Sequence, residues 1–487
     1  MQVKTKVAIV TLILAVIASA TLIFMSFNAP GTGYEEVWDD NGLYRIYYCG
    51  EPTGLYGNVI KGTPYIPVSM LGTYAVNPCI TLDAVNLRLN IDLGAMDIML
   101  ADDIVTDFVK THAGTVYIPL LAADGETYIP LNTTHQFFRI RYIISGLSID
   151  IRPYSEAVSL DYYAPGKVKS IQSGGRINLA WQYVGTVTPE APPEYDGLDI
   201  LAPTWFDLIV DGEGNVSNSG DRGYTDMCRE RGYMIWATIT NNMATKGSTN
   251  FTTQTFNTPD LLNRSVAQYI FYSCLYDVDG INIDYEDVAK TDGAGLVNFT
   301  KLLRNYTERQ GLYLSIDTPI PAPWYSQYDR KSLTEYVDYI AIMTYDEHWS
   351  TSPKAGSVSS LPWAEQAIKD TISEGVPENL ILMGVPLYTR VWQLNARGKI
   401  VSNKAVTMPF IQNLLIENEL TPDYLLNERQ NYIEYPDGDT ITKVWIEDSV
   451  SIKNRIDVVA KYNLAGTACW QFPQASSDIW AVFYQNL

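Results

Sequence analysis

The chain of 487 residues is poor in the side chains that hold metals and phosphates. It has three histidines, His112, His135 and His348, and no two stand at the spacing of a metal-binding pair. A His-based metal site is therefore excluded, and neither a metal nor a cofactor is expected. The five cysteines, Cys49, Cys79, Cys228, Cys274 and Cys469, form neither a CxxC pair nor a dense framework. Cys49 and Cys79 share the N-terminal region and could pair after export. Cys274 and Cys469 sit in apolar surroundings, where a thiol behaves as a small hydrophobe. Only 34 basic residues stand against 55 acidic ones, for a net charge of −21, and no basic run occurs. Such a chain cannot neutralise a phosphate backbone, which excludes nucleic-acid binding.

The chain is instead 46% hydrophobic, enough for the cores of two or three globular units. Lys4 and Lys6 precede an uncharged apolar run over residues 7–27, followed by Glu35, Glu36, Asp39 and Asp40. That run is long enough to cross a bilayer as a helix, and its flanking charges place the N-terminus in the cytoplasm. Residues 1–32 thus read as a cytoplasmic tip and transmembrane signal anchor, with the rest of a single-pass membrane protein outside the cell. The rival reading is a signal peptide cut near Ala18-Ser19-Ala20, which makes the protein secreted.

Residues 33–163 read as a small β-rich, stalk-like domain. Val85, Leu87, Leu89, Ile91 and Leu93 alternate with polar or small residues, the period of a half-buried strand. Tyr65-Ile66-Pro67 is echoed by Tyr117-Ile118-Pro119 and Tyr128-Ile129-Pro130, each with a proline suited to a strand end or edge. Pro165 and Gly166 mark a linker.

From residue 167 to 487, short apolar runs alternate with helical patterns. The expected strands are 177–183, 198–205, 233–240, 280–285, 312–318, 336–344, 380–386 and 466–471. Amphipathic stretches such as 261–276, 295–310 and 363–374 lie between them. This order predicts an α/β fold, a (β/α)8 TIM barrel. No Gly-rich phosphate loop follows the first strand, which disfavours an open doubly wound sheet. An α+β insertion is expected over about 396–448, with a helix at 409–419 and a hairpin around Pro436-Asp437-Gly438-Asp439. Trp445 and Glu447, at its end, are candidates to reach a ligand. Trp181, Trp205, Glu286, Asp317, Tyr345, Asp346, Tyr388, Arg390 and Trp470 all fall at or just past the C-terminal ends of strands, the rim where this fold builds its sites. Trp324 and Trp349 stand close to strand ends as well.

The stretch Asp279-Gly280-Ile281-Asn282-Ile283-Asp284-Tyr285-Glu286 organises the rest. Residues two apart in a strand share a face, so Asn282, Asp284 and Glu286 project together. Two carboxylates and an amide packed side by side cost stability, because like charges repel and shift each other's proton affinity.

This stretch resembles the DGxDxDxE signature of glycoside hydrolase family 18, the chitinase-like hydrolases, with Asn282 where the family usually has its first inner Asp. Trp205-Phe206, Met343-Thr344-Tyr345-Asp346, Gly384-Val385-Pro386-Leu387-Tyr388-Thr389-Arg390 and Trp470 follow in matching order. Glu347-His348-Trp349 and Ser359-Ser360-Leu361-Pro362-Trp363 make the chain most similar to the bacterial branch that includes spore-cortex hydrolases. The N-terminal domain weakly resembles the copper amine oxidase N-terminal module, with no histidine set to support copper.

The resemblance implies a retaining glycosidase that cleaves N-acetylglucosamine polymers, peptidoglycan or spore cortex ahead of chitin, with the sugar's own acetamido group as nucleophile. It implies Glu286, Asp284 and Tyr345 as catalytic residues and Asn282, Trp205, Asp346, Tyr388, Arg390 and Trp470 as substrate-binding ones. Glu286 is the acid, Asp284 orients the acetamido N–H, and Tyr345 donates to its carbonyl. Asn282 is expected to hydrogen-bond Asp284, and the Asp284 charge to raise the proton affinity of Glu286. The alternative is a carbohydrate-binding, lectin-like wall protein on the same fold.

Overall fold

The computed structural model divides into two compact units, Met1–Tyr163 and Ala164–Leu487. In the second it describes residues 175–185, 190–308 and 310–487; in the first, 34–35, 42–60, 62–70, 80–83, 88–92, 97–99, 115–123, 125–131 and 139–153. The predicted membrane run, Cys79 and the linker lie outside the described residues. Among those described, no helix is long and apolar enough to cross a membrane.

Among its described residues the first unit is mostly strand, with a 3-10 turn at Val68–Met70. An eight-stranded sheet runs from Tyr34–Glu35 at one edge to Ile140–Ser145 at the other, and a separate four-stranded sheet contains Arg88–Asp92. Tyr65-Ile66-Pro67 and Tyr128-Ile129-Pro130 are opposed in one antiparallel pair, with Ile66 across from Ile129. Both isoleucines are fully buried. Two of the three copies of the tripeptide thus form a cross-strand pair whose isoleucines pack inward, while Tyr117-Ile118-Pro119 pairs instead in the four-stranded sheet.

The second unit is a closed barrel of eight parallel strands: β1 (Ile177–Gln182), β2 (Ile200–Leu208), β3 (Met234–Thr240), β4 (Gly280–Asp284), β5 (Tyr313–Pro319), β6 (Tyr339–Met343), β7 (Ile381–Pro386) and β8 (Gly466–Trp470). β1 pairs with both β2 and β8, which closes the ring. Helices cover most crossovers, among them Arg222–Glu230, Pro259–Leu275, Gly293–Thr307, Leu361–Ser373 and Ser449–Lys461. Between β1 and β2 no helix occurs among the described residues. Helix starts follow the sequence: Asp221 caps one by accepting from Tyr224 N, and Asp448 with Ser451 forms a capping box on another.

The barrel interior is filled by Ile177, Leu179, Ile200, Ala202, Met234, Trp236, Ala341, Leu382 and Ala468, with Trp181 above them. Such layers make the barrel a packed core and leave its upper rim for chemistry. Gly280 opens β4 because a Cβ there would come within 2.7 Å of the Trp236 ring. That ring in turn stacks on Tyr313 at 5.3 Å.

The insertion begins earlier than expected. Its five-stranded antiparallel sheet starts at Tyr388–Asn395, only one residue after β7, and ends at Thr440–Ile446. The apolar run of β7 continues into the new strand without a polar break, so composition gives no boundary there. Helix Met408–Glu417 packs Ile411 onto Ile433, Val444 and Ile446. The predicted hairpin forms, with Asp437 opposite Thr440 and Gly438 at φ +57° in the turn.

Candidate active site

A cleft of about 640 Å³ opens over the C-terminal rim of the barrel. Its floor and walls include Trp181, Asp284, Glu286, Asp317, Tyr345 and Trp470. Asp284 ends β4 and is buried, with its Oδ1 lacking any hydrogen-bond partner. Burial first, then Glu286, Asp317 and Asp207, push its carboxyl well above the usual range. Glu286 follows two residues later, half-buried at the mouth of the barrel.

The backbone of Glu286 is clamped. Asn241 Nδ2 donates to Glu286 O at 2.6 Å, and Glu286 N donates to Asn241 Oδ1 at 3.1 Å. Tyr328 Oη donates to Tyr285 O at 2.9 Å. Burial raises the Glu286 carboxyl to about 7, helped by Asp287 and then Asp346. Asp284, expected to raise Glu286, is not among the groups that do so; the repulsion between the two carboxyls falls on the more deeply buried Asp284, which Glu286 helps to raise. At neutral pH a good part of Glu286 remains protonated and able to donate.

Tyr345 follows β6, lies edge-on to Trp181 at 6.4 Å and is kept in its phenol form by burial and by Asp284, Asp317 and Glu286. It faces the cleft as a donor. Trp470 ends β8, 6.2 Å from Trp181. Trp324, 61% exposed, and Trp349, 47% exposed, stand out from the rim and give the cleft apolar platforms. Asp346 lines the cleft at φ +59°, an uncommon backbone region for a non-glycine residue, and its Oδ1 accepts from Tyr388 Oη at 2.5 Å. Arg390 donates to Asn403 Oδ1 at 2.6 Å, and Asn403 donates to Ser350 O at 2.8 Å, so the insertion is tied to the Trp349 loop.

Three predicted contact residues stand elsewhere. Trp205 is fully buried outside the cleft, against Phe206, Tyr224 and Tyr276. The register of β2 against β3 slips between Thr204 and Phe206. Trp205 is the extra residue of that bulge, which turns the indole outward and brings Asp207 opposite Thr240, whose hydroxyl it accepts at 2.6 Å. Asn282 is also buried below the cleft floor. Its Nδ2 donates to Asp317 Oδ1 at 2.8 Å and to Ser315 Oγ at 2.9 Å, while its Oδ1 accepts from Trp181 Nε1 and Thr238 Oγ1. The expected Asn282–Asp284 bond is absent, because neighbouring strands offer the amide four partners first. Tyr388 is buried behind Asp346 and not in the cleft lining.

Glu447 does not reach the cleft either. It is fully buried, pairs with Arg455 at 2.9 Å and accepts from Gln430 and Ser451. Trp445 rests against Tyr432, with centroids 4.9 Å apart, on the insertion sheet. Asn241 and Tyr325 were not singled out from the sequence, although Asn241 directly follows β3 and so occupies a rim position; Trp363, quoted there only for the family resemblance, lines the cleft with Tyr325. Among the described residues no cluster could hold a metal ion.

Residues 244–475 match the family described as Glycosyl hydrolases family 18. YdhD of Bacillus subtilis (strain 168), named as a sporulation-specific glycosylase, is 26% identical over 272 residues, covering 55% of this chain and 64% of that protein. The cortical fragment-lytic enzyme of the same organism is 26% identical over 210 residues, covering 41% of this chain and 48% of the relative. The chain thus spans less than two thirds of the length of these relatives. The crystal structure of the Bacillus cereus spore cortex-lytic enzyme SleL shares the fold, with a TM-score of 0.58 and 19% identity over 64% of this chain and 74% of that one.

Proposed function

We propose, from the premise that the chain carries a glycosyl hydrolase family 18 domain, that the protein is a retaining glycosidase of β-linked N-acetylglucosamine polymers. The observation that carries this reading is the Asp284–Glu286 pair: one carboxyl raised to about 7 at the cleft, beside another whose buried Oδ1 has no partner. Two acids two residues apart cannot flank a sugar from opposite faces, as a two-carboxylate mechanism requires. An acetamido oxygen on the substrate itself supplies the missing nucleophile. Glu286 then protonates the leaving oxygen and afterwards draws a proton from the attacking water. The bare Asp284 Oδ1 is suited to take the acetamido N–H and, once ionised, to stabilise the cationic cyclic intermediate. Tyr345 donates to the acetamido oxygen, Trp470 and Trp181 floor the reacting sugar, and Asp346 and Arg390 contact its neighbours.

The naming of the similar Bacillus proteins supports cell-wall glycan, spore cortex or peptidoglycan, as the polymer ahead of chitin. The N-terminal apolar run supports an export route, with residues 33–163 as a spacer or wall-binding module. Purified cortex and N-acetylglucosamine oligomers, incubated separately with the protein and with Glu286→Gln, test the reading by mass spectrometry of the products. Hydrolysis by the wild type and binding without hydrolysis by the variant are expected. Binding without turnover by the wild type would make the protein a lectin.

A further inference from the structure

Asp317 has no counterpart in the signature around β4, yet it lies at the centre of the site. Ile283 of β4 is opposite Ile316 of β5, so the next residues along each strand, Asp284 and Asp317, are neighbours across strands about 4.8 Å apart. In a parallel pair both point to the same side, here the barrel interior below the cleft. Both are buried and both line the cleft. Their surroundings are unequal. Asp317 accepts from Asn282 Nδ2 on one oxygen at 2.8 Å and from Trp181 Nε1 on the other at 3.0 Å. Asp284 Oδ1 accepts nothing.

We propose that Asp284 and Asp317 share one negative charge, and that Asp317, held by Asn282 and Trp181, is the group that receives the proton of Asp284 during the reaction. This rests on the proposed function. Two adjacent carboxylates in a dry site cannot both ionise. The two donors assign the charge of the resting pair to Asp317 and leave the proton on Asp284. When positive charge develops on the substrate, the O–H bond of Asp284 breaks, one forms on Asp317, and the negative charge moves to Asp284, beside the new cation. No further reactant is needed.

Asn282 is then explained. An aspartate at that position would put a third carboxylate into the group, whereas the amide offers the two N–H donors that Asp317 and Ser315 accept. The direction of the shifts agrees: burial raises both carboxyls, but the bonds from Asn282 and Trp181 pull Asp317 back, and nothing does so for Asp284. The other titratable groups facing the pair are Asp207 from the end of β2, Glu286 after β4, Tyr328 from the β5–β6 connection and Tyr345 after β6.

The test is infrared titration of the protonated carboxyl bands in the unliganded protein, run beside the pH profile of hydrolysis. In the wild type a protonated carboxyl that disappears in Asp284→Asn is expected to persist to neutral pH. In Asp317→Asn the like charge is gone, so that band should titrate about one pH unit lower or more, and the acid limb of the hydrolysis profile should move the same way. The exchange Asn282→Asp with Asp317→Asn returns a carboxylate to the group and should restore much of the original titration. An unchanged Asp284 band in Asp317→Asn overturns the pair. Because the infrared reading needs no turnover, a wild type that hydrolyses nothing would defeat the proposed function and leave the pair still testable.

Discussion

Glu447 and Asp284 are both carboxylates buried in the barrel unit, and the difference between their surroundings separates structure from chemistry. Glu447 is met by the guanidinium of Arg455, by Gln430 and by Ser451. Arg455 reaches on to Ser359 O, so the network joins the insertion, the last crossover helix and the loop after β6. Asp284 is met by Asp317, Glu286 and Asp207 and leaves an oxygen bare. A buried charge with its counter-ion and its hydrogen bonds in place holds a fold together. A buried acid among other acids opposes the fold, and persists where its discomfort serves a reaction.

The comparison can be broken most forcefully at its two ends. Glu286→Gln should lower kcat by about 10³-fold, within the usual worth of a positioned general acid, while oligosaccharide binding measured by calorimetry is retained. Arg455→Met strands Glu447 and should cost about 3–5 kcal/mol in denaturant melts. Adding Glu447→Leu to it should recover most of that loss, since a buried pair replaced by apolar groups is near neutral. If Arg455→Met melts as the wild type does, Glu447 is not the structural anchor described. Asp284→Asn should do the opposite of Arg455→Met: activity falls, while stability stays level or rises by about 1 kcal/mol as an uncomfortable acid leaves.

Smaller effects sharpen the same contrast. Trp349→Ala or Trp324→Ala should weaken long-oligomer binding by about 1 kcal/mol, roughly fivefold in KM, with kcat nearly unchanged. For pH, Glu286 must carry a proton to act, so hydrolysis should decline as pH rises through about 7. Its raised carboxyl also binds its proton more tightly folded than unfolded. That contribution is therefore present below the ordinary value of 4.5 and is lost as pH climbs towards about 7. Glu286→Gln should reduce the melting-temperature slope across that window, leaving the share of Glu447, whose carboxyl burial also raises to about 7.

Much of this was legible in the chain. The eight barrel strands follow from short apolar runs set between helical patterns, and Asp284, Glu286, Tyr345 and Trp470 reach the cleft because each closes or just follows a strand. Trp205 misleads because a bulge adds one residue and reverses the inside–outside alternation beyond it, and no local pattern announces that. The partnership of Asn282 with Asp317 was hidden for a different reason: it depends on the register between two strands whose matching residues are 35 apart in the chain. Glu447 looked like a ligand-facing acid because its counter-ion, Arg455, lies inside the following helix and becomes a partner only once that helix packs.

The most direct measurement is the configuration of the sugar end first released from β-linked N-acetylglucosamine oligomers, read by proton NMR before mutarotation. An internal acetamido nucleophile followed by water returns the original hand, so the β anomer should appear first. Initial release of the α anomer would mean that water attacks directly, and would contradict the mechanism assigned to Glu286 and Asp284.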